Sequence, residues 1–167
     1  KELNREDFFP NVMSALEVDG KLYQAVPSFS LHAVVGSSDV VGDTPGWTYE
    51  EFDQALASMP EGCQAFDVYT TKDGILSTCL ALDMDDFVDW SSGECSFESQ
   101  QFIDLLNFAN KFPAEFDYEN YDWSTAESTE SLIAQGKQML LAAYISQFID
   151  IQYYDYYFKD ATYIGYP

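Results

Sequence analysis

The sequence predicts an α/β fold, a small sheet flanked by helices, and three observations carry that expectation. Short apolar runs of strand type alternate along the chain with runs of helical period. The clearest helix opens on a capping box, Thr48 and Glu51 in TYEEF. The most strand-like run, KQMLLAAYI (137–145), is almost continuously apolar, as a strand covered on both faces is. With 167 residues, 47% of them hydrophobic, the chain is long enough for one domain with a real core and too short for two comfortable ones.

The elements follow in order. FFPNVMSALEVDGK reads as a short helical or irregular lead-in punctuated by Pro10. Asp19-Gly20 signals a turn, Leu22 to Val26 a short strand, and Pro27 its end. Phe29 to Val35 is an extended apolar run that Gly36 is expected to break. After Thr48, the residues Phe52, Leu56 and Met59 recur at helical spacing until Pro60-Glu61-Gly62. AFDVYTT reads as a short strand and KDG as a turn. In ILSTCLALDMDDFVDW the apolar face of a helix falls on Ile75, Cys79, Leu82 (or Leu80), Phe87 and Trp90. The chain turns at Gly93 and restarts at Ser96 or Ser99. Phe102, Ile103, Leu105, Leu106, Phe108 and Ala109 then make a strongly apolar helix. AEFDYENYDWSTAEST has no period and reads as a loop, and ESLIAQG as a short helix closed by Gly136. Beyond the strand at 137–145, SQFIDIQYYDYYF is an amphipathic helix and ATYIGYP a closing strand.

Charge narrows the function classes. Seven basic against 29 acidic residues give a net charge of -22, a field that repels phosphate backbones and anionic head groups. Nucleic acid and polybasic membrane binding are therefore disfavoured, while neutral or cationic solutes are suited. No apolar run reaches the length of a membrane span. The chain opens on the charged KELNRED without an initiating Met and is expected to be a segment of a longer protein. Cys63, Cys79 and Cys95 form no CxxC, and His32 is the only histidine. A zinc site lacks ligands, which leaves buried thiols, or one disulfide and a free thiol.

The densest acidic stretch, DMDDFVDWSSGE (83–94), fails as a calcium loop. Asp83, Asp85 and Glu94 match positions 1, 3 and 12, but Phe87 and Val88 occupy the fifth and sixth, where an oxygen ligand and a glycine are required. Asp86 and Asp89, one helical turn apart, read as solvated charges rather than a catalytic pair. His32 lies in an apolar run without a nucleophile motif near it, and neither a G-x-S-x-G elbow nor a phosphate loop occurs. No cofactor, no metal and no catalysis are expected. What remains is binding by aromatics at element ends: Trp90, Trp123 and Tyr144, with Trp47 read as core packing. Sugars present C–H faces that stack on such rings, and hydroxyls that carboxylates and amides bind.

Five stretches in register, DGKLYQAVP, PGWTYEEF, FVDWSSGECSFESQQFIDLLNFA, TESLIAQGKQMLLAAYIS and ATYIGYP, resemble the family-1, maltose-binding-like extracellular solute-binding proteins of ABC importers. The likeness covers Asp19 to Pro167. It implies a periplasmic-binding-protein type II-like lobe, the second of two, with hinge strands near 22–35 and 161–167. Residues 1–18 would be a lead-in from the absent first lobe, and 19–167 the second α/β lobe. It implies a non-enzymatic receptor that passes a solute, most often a sugar or oligosaccharide, to the permease of an ABC importer. The receptor would sit at the outer face of the membrane, lipid-anchored, or in the periplasm. Carried over by position, the resemblance places Phe29, Ser30 and His32 near the cleft, Phe87 and Trp90 in an aromatic part of the site, and Tyr144 and Ser146 after the strand that leads into it. Trp123 joins the candidate ligand-binding residues on residue chemistry alone. Two further classes compete: a secreted acidic module docking a protein through Tyr153, Tyr154, Tyr156 and Tyr157, and a hydrolase with a paired-carboxylate cleft.

Overall fold

The computed structural model describes residues 4–24 and 26–167, which form two compact units, residues 1–30 and 31–167. In the first unit, helix α1 (Pro10–Leu16) begins on the proline, whose fixed φ suits a first helical turn. Strands β1 (Glu17–Val18) and β2 (Lys21–Leu22) pair antiparallel across the Asp19-Gly20 turn, where both residues have positive φ. The expected strand over Leu22–Val26 is thus confined to its first residue, because the hairpin ladder ends at Leu22. Ala25, inside that expected strand, lies outside the described residues.

The second unit is built on β3 (Leu31–Ser37), the middle strand of a three-stranded sheet. It pairs antiparallel with β6 (Leu140–Ile145) on one side and β7 (Ala161–Tyr163) on the other. Val34 and Val35 are fully buried and, being successive strand residues, face opposite ways. Val34 enters the larger core with Leu140 of β6 and with Phe52, Ile75 and Phe108 from helices α3 (Tyr49–Ser58), α4 (Lys72–Phe87) and α5 (Gln100–Ala109). Val35 enters a smaller core with Ala143 and Phe158, beneath α6 (Thr129–Ala134) and α7 (Phe148–Phe158). The sheet therefore lies between two helical layers, and the α/β expectation holds.

Local chemistry explains most boundaries. Thr48 and Glu51 complete the capping box at α3, and Ser99, Ser128 and Thr71 cap α5, α6 and α4. The cap at Thr71 corrects two expectations. KDG opens α4 instead of turning the chain, and AFDVYTT is no strand. Gln64 makes one parallel bridge to Gln138, after which Asp67 captures the Tyr69 N–H at 2.9 Å and bends the chain. At its other end α4 stops at Phe87, short of Trp90. Strands β4 (Val88–Asp89) and β5 (Glu94–Cys95) form a hairpin whose turn holds Trp90. Leu80, not Leu82, supports the core. The three cysteines are free thiols, Cys79 buried, Cys63 half-buried and Cys95 exposed.

Gly36 does not break its strand. It continues β3, paired with Leu140 and Thr162, because α2 (Ser38–Val41) folds back over it. A Cβ there would lie 2.8 Å from a Val41 methyl and 3.0 Å from a Leu140 methyl. Gly36→Ala is expected to cost ~1–3 kcal/mol through this overpacking, read as a lowered urea midpoint with unchanged slope. An unchanged midpoint would mean that α2 moves aside freely.

Candidate functional site

The residues expected at the site fall into separate places. In the first unit, Phe29 packs edge-on against Phe9, with ring centroids 5.5 Å apart, and Ser30 is half-buried. In the second unit, His32 and Tyr144 are cross-strand partners whose rings meet edge to face at 5.0 Å. Both are exposed, on the sheet face that Val34 shares. The Tyr154 hydroxyl clamps the backbone of Tyr144, accepting its N–H at 3.0 Å and donating to its carbonyl at 3.1 Å. This satisfies one point of the open edge of β6. Ser146 is engaged at the start of α7, where its N–H and hydroxyl donate to Asp150. These bonds, the backbone N–H of Ser146 first, hold the Asp150 carboxyl below the usual range.

Phe87 is withdrawn from any site. It is 3% exposed and packs against Phe97 and Phe102, because the last turn of α4 faces α5. Trp90, by contrast, is 71% exposed in the β4–β5 turn, its indole N–H donating to Asp85 at 2.6 Å. The turn is shaped by Asp89, which accepts from the Ser91 hydroxyl and from the N–H groups of Ser91 and Ser92. Asp86 and Asp89 consequently do not share a helix face. Asp89 has left the helix, and Asp86 accepts from Gln101 on α5. Among the described residues, no group of acidic, histidine and cysteine side chains is placed to hold a metal ion.

Trp123 stands in an exposed aromatic assembly that spacing along the chain does not reveal. Phe116 is its hub, with Tyr69 and Tyr118 at 4.7 Å and Tyr121 at 5.0 Å between ring centroids. Trp123 packs on Tyr121 at 5.0 Å and lies within 26° of the Tyr69 plane at 6.4 Å. Tyr118 lies within 30° of the same plane at 6.5 Å. Tyr69, Tyr118 and Trp123 remain 47%, 64% and 54% exposed, an uncommon concentration of wet aromatic surface.

Small polar turns hold this nest. Asp117 accepts the N–H groups of Glu119 and Asn120 and the Asn120 side-chain amide, which places Phe116 and Tyr118 on either side of it. Asp122 accepts the N–H and hydroxyl of Ser124, closing a 3₁₀ turn over Trp123–Thr125. Asp67 does the same for Tyr69 and Thr70. These bonds hold the carboxyls of Asp117 and Asp122 below the usual range, through Asn120 and Ser124 first respectively. The signal for the nest was present as DYENYDW and FDVY, aspartates alternating with aromatics, but only the fold brings Tyr69 to Phe116.

No protein-family model matches the chain, and no curated protein matches it in sequence. In structure it is similar to the sugar-binding protein MalE from Xanthomonas citri, with a TM-score of 0.54 and 15% identity over 92% of this chain. It is also similar to the GacH receptor of Streptomyces glaucescens, solved unliganded and with acarbose, with a TM-score of 0.56 and 15% identity over 99% of this chain. The chain spans 40% and 45% of those two structures. Its fold is thus the α/β fold found within sugar-binding proteins.

The Trp90 turn offers a pH test. The Asp89 carboxyl is pushed down to about 2 by the Ser91 and Ser92 bonds, below the ~3.9 of an unfolded aspartate. Its folded-state pKa is depressed, so its contribution is complete above ~3.9 and disappears as pH falls through about 2. The Ser91 amide resonance should therefore hold steady from neutral pH and move only as pH nears 2. A transition centred at the ordinary aspartate value would remove Asp89 as the organiser of the turn.

Proposed function

We propose that this chain is a carbohydrate-binding part of a solute receptor, and that the Tyr69–Phe116–Tyr118–Tyr121–Trp123 nest is its ligand platform. The observation that carries the reading is this exposed aromatic cluster, with Trp123 and Tyr118 within 26° and 30° of the Tyr69 plane, flanked by carboxylates, on a fold found in sugar-binding proteins. The C–H faces of a pyranose stack on such rings, and its hydroxyls donate to carboxylate oxygens. The nest also separates sugars from simple cations. A cation cage needs rings spaced around a void, whereas these rings touch one another at 4.7–5.0 Å and leave only their outer faces. A ligand that stacks on those outer faces is the better fit.

In the same reading the chain supplies one lobe of a two-lobed receptor, as its span of under half of the similar structures supports. That receptor delivers sugar to the permease of an ABC importer from the outer face of the membrane or the periplasm. His32 and Tyr144, exposed where β3 begins and β6 ends, are the secondary candidates for ligand contact, ahead of Ser146 and Phe29. The protein-docking alternative loses half of its surface. Tyr154 and Tyr157 turn inward to the smaller core, which leaves only Tyr153 and Tyr156 of the four outside.

Trp123→Ala, assayed for oligosaccharide binding in the two-lobed receptor, should weaken affinity about tenfold, the loss of one good stacking contact. Trp90→Ala, whose indole N–H is already committed to Asp85, should change it far less. Equal affinity of wild type and Trp123→Ala would remove the nest from the site.

A further inference from the structure

The segments that carry the aromatic nest are predominantly acidic. The two segments that build it, 67–73 and 111–123, contribute Asp67, Asp73, Glu115, Asp117, Glu119 and Asp122 against Lys72 and Lys111. Lys111 is committed to Asp53 on α3. Lys72, exposed at the start of α4, makes no ion pair among the described residues and offsets part of this charge. Not every carboxylate is free to meet a ligand. Asp117 uses both oxygens on its own turn. Asp67 and Asp122 each spend one oxygen, Oδ1, on their turns. Their Oδ2 atoms face no partner among the described residues, and these two aspartates are chain neighbours or near neighbours of the exposed rings of Tyr69 and Trp123.

Resting on the carbohydrate reading above, we propose that this nest selects saccharides by charge. Amine-bearing sugars are favoured over neutral ones, and uronates are rejected, with the free carboxylate oxygens of Asp67 and Asp122 as the selecting groups. The rings supply contact that is indifferent to charge. The acidic segments that carry the rings supply the discrimination: an ammonium on a stacked sugar meets a predominantly anionic surround, and a carboxylate there meets mostly like charge. The net charge of -22 adds a long-range bias of the same sign during approach. Asp122 is exposed and Asp67 half-buried, so the exposed charge contributes modestly and is screened by salt, and Asp67 is screened less.

Three β-1,4-linked trisaccharides that share a backbone isolate this effect: glucosamine, glucose and glucuronate trimers. Their binding to the intact chain is read by saturation-transfer NMR at millimolar ligand in mildly acidic buffer. At low salt the glucosamine trimer should bind roughly threefold more tightly than the glucose trimer, and the glucuronate trimer about threefold more weakly. High salt should compress the series. Asp67→Asn with Asp122→Asn keeps an oxygen for each turn and should bring the cationic-to-anionic ratio towards one. Equal or inverted affinities at low salt would overturn charge selection while leaving the carbohydrate platform standing. Binding of none of the three would overturn both.

Discussion

Val34 and Val35 are neighbours in the chain and sit in different cores, because successive strand residues point to opposite faces. That constraint organises residues 31–167. A strand buried on both sides must be covered by helices on both sides, and burying each valine contributes about 1.5–3 kcal/mol. The strand must also be central, since only a neighbour on each edge satisfies its backbone. β6 and β7 fill those places, from segments more than a hundred residues further along the chain. The close approach of α2 at Gly36 follows from the same packing, and a side chain there would push the sheet and helix apart. The exposed faces near the start of β3 and the end of β6 are held by this sheet, including the His32–Tyr144 pair.

Much of this was legible from the sequence where local chemistry decides. The capping box at Thr48, the restart at Ser99, the apolar period of α5 and a strand within 137–145 each agree with the structure, although β6 is an edge strand with only Leu140 and Ala143 buried. The errors lie where a side chain captures the backbone. Asp67 and Thr71 turn an apparent strand and turn into a bend and a helix start. Asp89 ends a helix whose apolar spacing would carry it on to Trp90. Gly36 reads as a break until the strand on each side of it is known. The alternation of strands and helices also gave no hint that both ladders of the three-stranded sheet are antiparallel.

The candidate site was legible only in part, for a related reason. Trp123, Tyr144 and His32 could be singled out as aromatic or polar groups at the ends of elements. Phe87 shared that description, yet the turn of α4 that holds it faces α5. Tyr69 lies in a segment that reads as an ordinary strand, and Phe116 in a loop without a period. Their contact joins residues nearly fifty positions apart, and no spacing rule reveals it. The three aspartates that shape the nest were readable as turn formers. Their second role, as a charged rim around wet aromatic rings, depends on the turns closing beside one another. Composition points towards neutral or cationic solutes, and the proposed rim would give that tendency a location.

The central claim is that these rings are where a sugar sits. The most direct test is to map backbone amide and indole resonances of the intact chain during titration with a neutral maltooligosaccharide. The account predicts shifts concentrated at Tyr69, Phe116, Tyr118, Tyr121 and the Trp123 indole, with the Trp90 indole unmoved. Shifts confined to the Trp90 turn or to the outer face of α7, with the nest silent, would contradict it.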